Sequence, residues 1–62
     1  MDIKDVKQNL NKRVKLDNTE YILKEYVLWF SEVDNQIKHS LVLKDLNANS
    51  TIRVDISRVE II

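Results

Sequence analysis

The chain has 62 residues, ten Lys and Arg balancing ten Asp and Glu, and no cysteine, glycine or proline. These figures exclude disulfides, cysteine-based metal centres, a glycine-rich phosphate cradle and the positive excess that draws a protein non-specifically to nucleic acid or anionic lipid. What remains is one small domain near the lower size limit for independent folding, which an economical closed barrel or self-association is expected to support.

Residues 1–10 contain no apolar stretch of the kind a secretory signal needs and carry an acid from the second position. The longest apolar run, residues 26–30, is too short to span a bilayer, so a cytoplasmic location without membrane contact is expected. A single Ala beside about a third of the chain as Ile, Lys and Asn fits AT-rich coding, which points to an AT-rich bacterial genome or one of its mobile elements. Without glycine, turns that need positive φ fall to Asn and Asp, and Asx-rich sites lie at 17–19, 33–36 and 47–50.

Residues 2–10 are expected to form a helix: Ile3, Val6 and Leu10 recur at spacings of three and four, and Asp2 and Asp5 sit in the first turn. So short a helix is unstable alone and must dock on this domain or a neighbour. Residues 12–16 alternate as a half-buried strand, with Val14 and Leu16 on one face and Arg13 and Lys15 on the other. The longest β-rich stretch, 20–30, changes parity: Tyr21 and Leu23 share one face, then Tyr26, Leu28 and Phe30 follow the opposite count. A bulge or sharp bend at Lys24 and Glu25 would reconcile them, as would a strand covered on both faces. Residues 37–46 make a third strand, with Ile37, His39, Leu41 and Leu43 on one face. In 51–56 the alternation is cleanest, Ile52, Val54 and Ile56 pointing inward and Arg53 and Asp55 outward. A one-turn 3₁₀ helix at 57–59 and a short closing strand at 60–62 complete the chain.

One helix and five strands, with the second and third long and a 3₁₀ turn before the fifth, describe an SH3-type small barrel. With the helix in front, the pattern resembles the Sm-like proteins. Residues 11–16 are similar to the first Sm strand, "HSLVLKDL" at 39–46 to the stretch that closes the first Sm motif, and "TIRVDISRVEII" at 51–62 to the signature of the second. The resemblance implies the barrel and, for the family's activity, RNA bound at the pore of a ring. The chain departs from the family where Ser40 holds the place of the RNA-contacting Asn, where Val54 stands in place of the glycine after Ile52 and Arg53, and where the second hairpin is longer. The expected fold is thus mostly β: a single domain over 1–62, with a short N-terminal α-helix at 2–10 and an SH3-type five-stranded barrel at 12–62. An unrelated α+β sheet is the competing architecture.

No chemistry is expected. His39 is the sole histidine, and its neighbour Ser40 points to the opposite face of a strand, so the two cannot form a nucleophile–base pair. The turn at 34–36 lacks the acidic density of a calcium loop; neither a metal, a cofactor nor a small-molecule substrate is inferred. The candidate binding residues are Lys12, Arg13 and Lys15, the only basic cluster, with Arg53, Tyr26 and Trp29. Arg58 joins the cluster if the terminal strand pairs with the first. All four aromatics lie within residues 21–30, and of the neighbours Trp29 and Phe30 one is expected in the core and the other outside. The same aromatics serve equally as core, and the basic residues equally as a solvated face balanced by Asp17, Asp55 and Glu60. The function read from this is a small non-enzymatic interaction module or accessory protein, contacting a protein partner or itself. An RNA- or DNA-binding regulator is the alternative.

Overall fold

A computed structural model describes residues 1–62. It is a mostly β structure: five antiparallel strands in one sheet, preceded by a short helix. A 3₁₀ turn, Ile3–Asp5, runs into a single α-helical turn α1, Val6–Asn9. There follow β1 (Arg13–Leu16), β2 (Thr19–Ser31), β3 (Gln36–Asp45), β4 (Thr51–Asp55), a second 3₁₀ turn (Ile56–Arg58) and β5 (Glu60–Ile61). No helix is long and apolar enough to cross a membrane.

The expected N-terminal helix is shorter and less regular than its sequence pattern. The Asn9 side chain donates to the Asp5 carbonyl at 2.7 Å, competing with the helix backbone. Leu10 is extended and Asn11 takes φ of 64°, which turns the chain into β1. Of the apolar stripe only Val6 is buried; Ile3 and Leu10 remain exposed.

Turn chemistry follows the Asx rule at two of the three sites. Asp17 and Asn18 both have positive φ, 49° and 65°, between the facing residues Leu16 and Thr19. That is the two-residue hairpin whose backbone twist matches its strands. Asn35 supplies φ of 54° in the β2–β3 loop, where the Asp34 N–H donates to Ser31 Oγ at 3.4 Å. The turn at 47–50 uses no positive φ; there Asp45 accepts from the Asn47 N–H at 2.8 Å.

The change of parity in β2 is a bulge, as the sequence requires. Its pairing with β3 slips between Leu23 and Glu25 and leaves Lys24 without a partner. Leu23 therefore faces the core before the bulge and Tyr26 faces it afterwards. Seven apolar residues are buried: Val6, Val14, Leu16, Leu23, Leu41, Leu43 and Val59. Met1, Tyr21, Tyr26, Val54 and Ile56 pack around them half-buried.

Strand order across the sheet is β4-β3-β2-β1-β5. β4 and β5 form its two edges without pairing, so the sheet is not closed into a barrel. The cause is local: β4 ends at Asp55, where the chain enters the 3₁₀ turn, and β5 is two residues long and pairs with β1 (Val14 to Ile61, Lys15 to Glu60). Ile52 was expected inside; on the edge strand no further strand covers it, and it is over a third exposed.

Candidate functional site

The six candidate binding residues fall into three places. Lys12, Arg13 and Lys15 lie at β1, where charges of both signs meet. Arg13 is 3.5 Å from Glu20, and Lys15 faces Glu60 across the β1–β5 pair. Asp17, at the β1–β2 turn, takes Arg58 at 2.8 Å. The terminal strand does bring Arg58 to this end of the sheet, but to an acidic partner.

Trp29 and Arg53 meet on the face of the sheet away from the core. The register sets Trp29 opposite Lys38, and Arg53 opposite Val42. Trp29 Nε1 donates to the buried Ser40 Oγ at 2.8 Å, and the Arg53 guanidinium lies over the indole ring at 5.4 Å. Stacked there, Arg53 draws on the negative face of the ring. It stands two intervening strands from Arg13, roughly 14 Å at ordinary strand spacing. The basic residues therefore do not converge.

Acids also balance the surround of Trp29. Lys38 Nζ is 2.6 Å from Asp34, whose carboxylate, through that hydrogen bond and its charge, holds the Lys38 ammonium above the usual lysine value. Asp55 is held below the usual carboxylate range by hydrogen bonds from Ser57, side chain then backbone, with smaller help from Lys38 and His39. Lys38 on this face is thus paired with a carboxylate, while Arg53 is held by the indole ring.

Tyr26 points the other way, toward the core. Its hydroxyl is 2.6 Å from His39 Nδ1, and the two rings stack with centroids 6.0 Å apart and planes 7° from parallel. Beyond this pair the β2–β3 hairpin continues past the ends of its neighbours. β1 pairs with β2 only as far as Ile22, extended by hydrogen bonds between Leu23 and the backbone of Asn11 and Lys12. β4 pairs with β3 only from Ser40 to Lys44. What projects is a two-stranded arm of residues 26–31 and 36–39, with the loop 32–35 at its tip.

On the core-facing side of this arm, Leu28 sits opposite His39 and Phe30 opposite Ile37. Leu28, Phe30 and Ile37 are 58%, 57% and 64% exposed, and Val33 at the tip is 95% exposed. Neither Trp29 nor Phe30 enters the core, because both belong to the arm. Sequence reasoning missed Leu28, Val33 and Ile37 as candidates. The signal was present in strand length: the stretches 20–30 and 37–46 outrun 12–16 and 51–56, so part of their apolar alternation had nothing to cover it.

No cavity opens in the structure, and no cluster of three or more His, Asp or Glu could hold a metal ion. Compared with protein-family profiles, curated proteins and solved structures, the chain matches none of them.

Proposed function

We propose that this protein is a small non-enzymatic interaction module that works through the apolar face of its β2–β3 arm. The observation that carries this is the row Leu28, Phe30 and Ile37, all more than half exposed on neighbouring register positions. Large contiguous apolar patches on small proteins are sites of contact with other macromolecules. Their fixed position on paired strands presents them without an ordering cost. The proposal extends to architecture: the strand order, the bulged second strand and the 3₁₀ turn before β5 fit an SH3-type arrangement whose two edges stay apart.

Recovery of bound proteins by the wild-type chain and by a Leu28→Lys, Ile37→Lys variant tests the reading. A protein, a second copy of this chain included, retained by the first and lost by the second is expected; identical recovery by both would overturn it. The nucleic-acid alternative rests on Trp29, Arg53 and the basic residues of β1. It predicts amide shifts at Lys12, Arg13, Lys15 and Arg53 on adding short RNA or DNA, fading steeply with salt. With Arg13 beside Glu20, Lys15 opposite Glu60 and Arg53 three strand spacings from both, no such shifts are expected.

A further inference from the structure

We infer that the partner of the arm is a second copy of this chain, joined by antiparallel pairing of the free edge of β2 with itself about a twofold axis at Leu28. The inference rests on the interaction reading above and names its occupant.

The free edge can be located from the hydrogen bonds. Leu23 donates its N–H to the Lys12 carbonyl at 3.0 Å and accepts from the Asn11 N–H at 2.7 Å, so its backbone polar groups point away from β3. Facing pairs in an antiparallel ladder alternate between bonded and unbonded. Counting along β3 from Leu43, the pairs at Leu41, His39 and Ile37 are of the unbonded kind, like Leu23 with Leu43. The N–H and C=O of their β2 partners, Tyr26, Leu28 and Phe30, therefore point outward at an edge that no strand occupies.

This edge has the features that invite pairing and none that prevent it. Residues 26–30 contain no charge and no proline, and the β-bulge lies before them rather than among them. Centred on Leu28, self-pairing uses all the outward-pointing residues at once. Leu28 faces Leu28 of the second copy, and Tyr26 faces Phe30 of the second copy. Each facing pair then exchanges N–H···O bonds in both directions. Side chains agree with the backbone: on the apolar face the two aromatics meet across the seam, while Val27 meets Trp29 on the other. Centring on Tyr26 or Phe30 instead would run the pairing into the bulge or the turn.

Surface area points to the same occupant. Leu28 and Phe30, 58% and 57% exposed, lie on the strand that forms the seam, so pairing of the edges covers part of both side chains. The chain exposes 4542 Å² in all, against about 4,200 Å² for a monomer of its 7.4 kDa. A twofold pairing uses one edge of each copy and closes.

Sedimentation of the purified chain, with single-cysteine cross-linking, tests this. Wild type is expected to approach twice 7.4 kDa as concentration rises. Leu28→Lys, which sets two ammonium groups face to face on an already exposed position, is expected to stay at the monomer mass with an unchanged circular dichroism spectrum. Since the chain has no cysteine of its own, Leu28→Cys should oxidise to a covalent dimer, because bonded facing residues lie about 5.5 Å apart at Cα. Tyr26→Cys and Phe30→Cys should cross-link with each other in a mixture more readily than either alone. A wild type that remains monomeric throughout, or a Leu28→Cys no faster to cross-link than Val33→Cys at the loop tip, would overturn the inference. A monomer whose wild-type arm still retains another protein, lost in Leu28→Lys, Ile37→Lys, would overturn the second copy alone. A monomer that retains none would overturn both readings.

Discussion

Asn18 shows how a chain without glycine makes its turns. Its φ of 65° lies in the left-handed region that a side chain with a Cβ enters at a cost, lowest for Asn and Asp. Asn18→Ala is expected to lower stability by about 1 kcal/mol in urea unfolding, whereas Asn18→Gly should leave it unchanged or raise it slightly. The role of Asn and Asp at 17–18 and at 35 was legible from composition alone, since no other residues could serve. Burial was less so. Leu41 and Leu28 occupy the same face of the sheet in neighbouring strands, yet Leu41 is fully buried and Leu28 is not. Leu41→Ala is expected to cost about 2–5 kcal/mol and Leu28→Ala within about 0.5 kcal/mol under conditions that keep the chain monomeric. Periodicity reports which way a side chain points; it does not report whether anything lies there to meet it.

The second 3₁₀ turn carries a prediction of its own at the scale of elements. Asp55 precedes it and accepts from the Ser57 N–H at 2.9 Å and from the Ser57 hydroxyl. Asp55→Ala should cost about 1 kcal/mol or less, this carboxylate being open to solvent. Its depressed pKa fixes the sign of the pH dependence. The contribution is complete above about pH 4, the range of an unfolded aspartate, and is lost as pH falls through the lower folded value. Acid titration of wild type and Asp55→Ala, followed by thermal unfolding, should show the gap between them closing below about pH 4. The five strands and the bulge were readable because alternation and its break are local properties. The lone turn of α-helix was not, since Asn9 and Asn11 divert the backbone where the apolar spacing would continue it. Nor was the open sheet: closure depends on β4 meeting β5, and β5 is only two residues long while β4 gives way to the 3₁₀ turn after Asp55.

At the scale of the whole molecule, shape decides how the chain is understood. Its radius of gyration is 11.6 Å, against about 10.5 Å for a compact chain of this length, and it extends 35 × 23 × 18 Å. The excess belongs to an arm that contributes little to the domain's own core, while its edge offers unpaired backbone. The candidate residues named from sequence, Lys12, Arg13, Lys15, Tyr26, Trp29 and Arg53, do not assemble into one surface, because alternation separates Tyr26 from Trp29 and two strands separate β1 from β4. Association through the arm is the central claim, and amide hydrogen exchange at Tyr26, Leu28 and Phe30 tests it most directly. The account predicts fast exchange at these positions in dilute solution and protection that grows with protein concentration, while Leu41 and Leu43 stay protected throughout. Fast exchange at all three positions at every concentration would contradict it.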